Sequence, residues 1–266
     1  MKEKAIGVFD SGLGGLAVAR KVMDEMPNED IVYFADFAHL PYGPRPTEEV
    51  REFVLQVVDF FMRKDVKAIL IGCNTASAAA AKAAQERARK IPVIGMIEPA
   101  VKTIIEHANI QKVGVIGTAG TIASGAHEKA FGRLSPSVEV MGHACPDLLR
   151  LAEQGDIGDK GKIQLMTKDC VSSLEKEGIT ALILGCTDFT CIAKELRAVL
   201  SPSIQIFDPA TEVAKAAARL LQRKGWRSAR KGKGHSSFFT SGEAPAGAKE
   251  FAQRIFGITI EKFEMQ

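Results

Sequence analysis

No run of apolar residues in this 266-residue chain approaches the ~18 needed to span a bilayer. Charge of one sign is also scarce. The formal balance is only +3, too mild a field to gather nucleic acid or an anionic membrane surface. The five cysteines, at 73, 145, 170, 186 and 191, are odd in number, contain no CxxC pair and match no zinc spacing with the histidines. These absences exclude a membrane span and a disulfide framework, and leave each thiol to be read from its local context. The start of the chain, residues 1–10, meets charge too early for a secretory leader, so a cytoplasmic location is expected. What remains is a soluble globular composition, 46% apolar and 25% charged, long enough for one large domain or two ordinary ones.

Short apolar or β-branched runs recur at 5–9, 31–35, 67–71, 92–96, 112–116, 138–141, 180–184 and 204–207. Between them lie helical rhythms. Val50, Phe53, Val54, Val57, Val58 and Phe61 follow helical spacing over 49–63, and Ile163, Met166, Cys170 and Leu174 do so over 161–177. Strands alternating with helices predict an α/β fold with parallel sheets. The chain also repeats itself. Ile6-Gly-Val-Phe-Asp-Ser-Gly12 resembles Val113-Gly-Val-Ile-Gly-Thr-Ala-Gly120, and Gly72-Cys73 resembles Gly185-Cys186. Gly7 and Gly114 are 107 positions apart, Cys73 and Cys186 113, so both pairs keep their order at a nearly constant offset. A duplicated doubly wound unit is expected. Open parallel sheets bind ligands beyond the carboxyl ends of their strands, where both Gly-Cys motifs and both Gly/hydroxyl loops belong. If the halves face each other, the two cysteines flank one cleft.

The stretch Phe9-Asp-Ser-Gly-Leu-Gly-Gly15 lacks the Gly-Lys-Ser/Thr of a phosphate loop and the full dinucleotide fingerprint, so Asp10 beside Ser11 at the strand end carries the interest. Cys73 and Cys186, each at a strand-to-loop junction and followed by small polar residues, are expected to be partly exposed, with thiol pKa values lowered by helix N-termini. Cys170, on an apolar helix stripe, is read as structural, as are Cys145 and Cys191. No histidine makes a defensible nucleophile–base arrangement, and only His39 stands near a suggestive loop. The stretch 223–233, with Arg223, Lys224, Arg227, Arg230, Lys231 and Lys233 and no acidic residue, is read as a solvated linker.

Together, residues 9–15 (FDSGLGG), 33–46 (YFAD…PYGPRP), 72–78 (GCNTASA), Thr118…Thr121, 144–153 (ACP…E), 185–187 (GCT) and 238–242 (FFTSG) stand in an order that resembles the glutamate racemases, over essentially the whole chain. The resemblance implies racemisation at Cα by two opposed thiols, without pyridoxal phosphate, metal or other cofactor, supplying D-glutamate for peptidoglycan. Carried over, Cys73 and Cys186 form the acid/base pair and Asp10 assists Cys73. Ser11, Tyr42, Gly43, Asn74, Thr75, Thr118, Thr121 and Thr187 hold an acidic amino acid, and Glu153 stands near the site. It further implies two α/β lobes related by a pseudo-twofold axis, 1–97 completed by 208–266, and 98–207, with the active site in the cleft between them. Members are often homodimers, although no pattern here marks a dimer face. One departure is plain. Where the family carries a histidine after the second Cys-Thr, this chain has Asp188, followed by Phe189-Thr190. Asp188 either forms a second Asp–Cys pair, turns outward, or weakens one half-reaction by raising the thiol pKa. The alternatives are a racemase of aspartate or another amino acid, and a weakened homologue that binds an acidic amino acid or a protein partner.

Overall fold

The computed structural model describes residues 1–107, 110–153 and 159–266. Among these residues are ten strands: β1 Ile6–Asp10, β2 Ile31–Ala35, β3 Ala68–Ile71, β4 Val93–Ile94, β5 Lys112–Gly117, β6 Glu139–Ala144, β7 Ala181–Gly185, β8 Gln205–Phe207, β9 Ser236–Thr240 and β10 Glu264–Met265. The helices are α1 Leu16–Glu25, α2 Thr47–Arg63, α3 Asn74–Ala88, α4 Ile97–Ile105, α5 Ala119–Ala123, α6 Ala126–Leu134, α7 Pro146–Glu153, α8 Lys160–Lys176, α9 Ala193–Val199, α10 Pro209–Arg223 and α11 Ala248–Phe251. None of the described helices is long and apolar enough to cross a membrane.

Every ladder is parallel. One sheet has the order β10-β9-β2-β1-β3-β4 and the other β6-β5-β7-β8. The inner order β2-β1-β3-β4 of the first sheet is thus repeated as β6-β5-β7-β8 in the second, the topology expected of a duplicated unit. All five residues of β1 and of β7 are buried, because helices cover both faces of each sheet. On the first sheet one core gathers Val8, Tyr33 and Leu70 under α1 and α10, and another gathers Phe9, Ile69 and Ile71 under α2 and α3. The second sheet likewise has a core on each face, built around Ile116 and Leu184 and around Val115 and Ile183.

The apolar stripe of α2 is buried at Val50, Val54, Val57, Val58, Phe60 and Phe61. Glu48 and Glu49 in its first turn and Arg63 in its last complement the helix dipole. The eight strands expected from the sequence are all present, with no end shifted by more than three residues. Two further strands, β9 and β10, extend the first sheet at the β2 edge. To reach that edge the chain runs from α10 back across the first sheet, and the linker 223–233 is solvated at Arg223, Lys224, Lys231 and Lys233 but docked at the half-buried Arg227 and Arg230. Arg230 forks onto the Asp30 carboxylate, and Lys224 lies 4.7 Å above the Trp226 ring.

A second correction concerns the cysteines. Cys145, just before α7, and Cys170, on α8, form a disulfide with their Cα atoms 5.7 Å apart. They are 25 residues apart in sequence, and only the packing of α7 on α8 brings them together, a pairing that cysteine spacing cannot reveal.

Lys67 is fully buried at the start of β3. Its ammonium donates to the Glu29 carboxylate, to the Lys2 carbonyl at 2.9 Å and to the Trp226 carbonyl at 3.1 Å, while Glu29 also accepts from the Ser228 amide at 2.9 Å. One cation therefore ties the N-terminus, the α1–β2 turn and the returning C-terminal stretch to the sheet. Lys67→Ala leaves the buried Glu29 carboxylate with only the longer Arg227 contact at 3.9 Å and the Ser228 amide, and is expected to cost about 3 kcal/mol in urea unfolding. Replacing both partners by apolar residues of similar volume, Lys67→Met with Glu29→Leu, is expected to cost much less.

Candidate active site

The two sheets present their carboxyl ends to each other. β1 ends in Asp10 and β3 runs through Gly72 into Cys73. In the second sheet β5 runs into Thr118 and β7 into Cys186. The seam between the halves is narrow. A Cβ on Gly14 would lie 2.5 Å from the Thr187 hydroxyl and 2.8 Å from the Asp188 carboxylate, and one on Gly15 would lie 2.4 Å from the Asp10 Cβ. The glycines of residues 9–15 are there to let the second lobe and the Asp10 side chain approach the backbone.

A cavity of about 130 Å3 lies in this seam, lined among others by Asp10, Ser11, Tyr42, Gly43, Cys73 and Asn74 of the first half and by Thr118, Glu153, Cys186, Thr187 and Asp188. Thr75 also lines it. A wider recess of about 430 Å3 adjoins it at Asp10, Ser11, Glu153 and Asp188, and its outer wall is Pro245–Ala248 with Phe251. Of the site residues expected from the sequence, all but Thr121 reach the smaller cavity. Thr121 stands behind it, in a closed triangle of hydroxyls across the seam: Thr75 to Thr118 at 3.0 Å, Thr75 to Thr121 at 3.0 Å, and Thr118 to Thr121 at 2.9 Å. The Asn74 side chain is buried with neither its oxygen nor its nitrogen bonded, an unpartnered amide in the wall of the cavity.

Each thiol has its own carboxylate. Cys186 donates to Asp188 Oδ2 at 3.3 Å, so Asp188 faces inward and forms a second Asp–Cys pair. On the other wall Asp10 lies beside Cys73, close enough for its charge to act on the thiol, and its Oδ2 accepts from the Gly15 amide at 2.7 Å. The thiols differ from expectation in two respects. Both are buried, with 7% and 8% of their surface exposed, and both pKa values move up rather than down. Cys73 caps α3 and accepts from the Ala76 amide at 3.5 Å, which favours the thiolate. Burial outweighs that bond, and the Asp10 charge adds to the upward push. At Cys186 burial and then Asp188 act in the same direction.

The carboxyls respond to the same crowding. Asp188 is pushed up to about 7 by burial and by the nearby Asp10 and Glu153 charges. Burial also raises Asp10 and Glu153. Among the described residues lining the smaller cavity there is no lysine or arginine. Nor does any group of three or more His, Cys, Asp and Glu among the described residues stand where it could hold a metal ion.

Three features escaped the sequence reading. Leu149 of α7 lines the cavity, Gly14 sits against Thr187 and Asp188, and Asp36 accepts from the Tyr42 hydroxyl. Asp36 is the residue that could have been found. Like Asp10 it is an acid at the carboxyl end of a first-sheet strand.

The model of the Asp/Glu/hydantoin racemase family matches residues 14–217. A glutamate racemase from Geobacter metallireducens is 37% identical over 97% of this chain and 94% of its own length, and one from Shouchella clausii is 39% identical over 91% and 86%. Among solved structures, a glutamate racemase from Francisella tularensis in complex with D-glutamate superposes with a TM-score of 0.92 at 32% identity, covering 100% of this chain and 98% of that one. A glutamate racemase isoform from Bacillus anthracis gives 0.93 at 37% identity, with the same coverage. Two repeated sheets meeting at a pair of thiols, each with a carboxylate beside it, and matched along the chain by these proteins, mean that the chain belongs to the Asp/Glu/hydantoin racemase family, close to its glutamate racemases.

Proposed function

We propose that this chain is a glutamate racemase that moves the Cα proton between two thiols without a cofactor. The observation that carries the reading is the pairing of each thiol with a carboxylate, Cys73 with Asp10 and Cys186 with Asp188, on the walls of one cavity.

At rest both thiols hold their protons, since burial and the adjoining carboxylates oppose a thiolate. The incoming amino acid brings an ammonium group into a cavity whose described walls carry no side-chain cation. That positive charge lowers the cost of the thiolate, and the paired carboxylate receives the thiol proton. The thiolate then removes the Cα proton from one face while the opposite thiol delivers its own to the other, inverting the centre. Cys73 serves one direction and Cys186 the other. Donors already in position stabilise the carbanion-like intermediate. Ser11, Thr118, Thr187 and the unbonded Asn74 amide hold the substrate carboxylates, and Thr121 keeps Thr75 and Thr118 in place. Gly43 and the Tyr42 ring form the wall, and Glu153 stands at the mouth beside the wider recess. The small cavity suits a small substrate, and the Francisella protein's bound D-glutamate supports glutamate in particular. The product would serve peptidoglycan synthesis.

In D2O the purified chain is expected to deuterate Cα of L- and D-glutamate with inversion of both. Cys73→Ser and Cys186→Ser are each expected to lower kcat by roughly 10²–10⁴. In NMR the two variants should differ in which enantiomer still exchanges. Full two-way activity in either variant would sink the two-thiol reading.

A pH dependence follows from Asp188. Its carboxyl goes from 3.8 in the unfolded chain to about 7 in the folded one, so between these values the folded state holds a proton that the unfolded state has released. Stability therefore falls as pH rises through that window, and Asp10 and Glu153 act in the same sense. Asp188→Asn is expected to flatten the slope of unfolding free energy between about pH 4 and 7 in denaturant titrations. An unchanged slope would refute the assignment.

A further inference from the structure

The loop after β2 does two jobs at once. Pro41, Tyr42, Gly43 and Pro44 wall the smaller cavity, and the Gly43 carbonyl accepts from the Gly120 amide of the other lobe at 3.1 Å. Gly43 also packs on Thr118, since a Cβ there would lie 3.0 Å from the Thr118 Cβ. This segment is therefore a strap that forms part of the site and fastens the lobes.

Its anchor is Asp36, 2% exposed. Three side chains converge on this carboxylate: the Tyr42 hydroxyl donates to Oδ2, the Ser241 hydroxyl to Oδ1, and His39 Nδ1 lies 2.9 Å from Oδ1. The Asp36 amide donates to the Asp10 carbonyl at 3.0 Å, so the anchor is bonded to the residue that pairs with Cys73. From the outer side, Arg45 Nε reaches the carbonyls of His39 at 2.8 Å and Pro41 at 3.2 Å, and His39 stacks on Phe53 with ring centres 3.8 Å apart.

We propose that Asp36 is a positioning residue of this site: its bond to the buried Tyr42 hydroxyl sets the height of the strap over the cavity, and through Gly43 the closure of the two lobes on the substrate. The Tyr42 hydroxyl is then a structural donor, and only the ring and backbone of Tyr42 face the substrate. This inference rests on the racemase reading for its activity readout, and a binding readout separates the two. An aspartate that merely stiffened the loop would lower thermal stability without changing how tightly substrate is held.

The test uses the full chain, Asp36→Asn, Tyr42→Phe and the double variant. Racemisation kinetics, calorimetric affinity for glutamate and thermal unfolding are measured on each. Either single change is expected to raise KM and the glutamate Kd by about tenfold, the scale of one hydrogen bond to a charged group, with kcat within about threefold. The double variant is expected to match the worse single variant, because both act on the same contact. Multiplying losses, or an unchanged KM and Kd with a lowered Tm, would overturn the proposal. Should Asp36→Asn not fold, Ser241→Ala removes one of the carboxylate's donors and is expected to raise KM and Kd about threefold; unchanged values there would equally overturn it. A wild-type chain that binds glutamate without racemising it would overturn the racemase reading alone, and the Kd series would still judge Asp36.

Discussion

Five titratable groups, Asp10, Cys73, Glu153, Cys186 and Asp188, share one cavity whose described walls carry no lysine or arginine. Water is largely replaced by protein there, and like charges lie close, so each group resists ionising in the presence of the others. The upward shifts of Asp10, Glu153, Asp188 and both thiols are different expressions of this one constraint. It also explains why the helix N-terminus at Cys73 does not make a resting thiolate. One long sulfur–amide contact competes with complete burial and a neighbouring carboxylate, and burial is the larger effect. A site built this way waits for a cation, and an amino acid carries one.

The constraint can exist only because the lobes approach so closely. Gly14 lies against Thr187 and Asp188, the threonine triangle bonds across the seam, and Gly43 receives the Gly120 amide. Side chains at these glycine positions would hold the halves apart, admit water and let the acids ionise independently. The close seam and the perturbed acids are thus one arrangement. The loop from Asp36 to Arg45 belongs to it as well, since it walls the cavity on one side and bonds the second lobe on the other.

The parallel sheets follow from alternating apolar runs and helical stripes. α2 and α8 lie where the spacing of Val50 to Phe61 and of Ile163 to Leu174 places them. The two Gly-Cys motifs pointed to the same sheet edge in both halves, and that edge is where the cavity lies. By contrast, β9 and β10 were not legible. β10 has two residues, and β9 follows a basic stretch whose order depends on Asp30 and Glu29, acids some 200 positions earlier. The Cys145–Cys170 disulfide was hidden for a related reason, since α7 and α8 meet only in the folded chain.

The sequence by itself determined the chemistry available: two thiols after two buried strands, an acid at the end of β1, another two residues past the second thiol, and hydroxyl loops to bind a polar ligand. Local pattern suffices for this, because strand ends and turn glycines are properties of neighbouring residues. The tertiary structure decided what that chemistry becomes. Asp188 turns towards Cys186, both thiols are buried and hold their protons, and Asp36 holds the strap through Tyr42. Burial and charge proximity sum over groups distant in sequence, so these outcomes appear only when both lobes are assembled around the cavity.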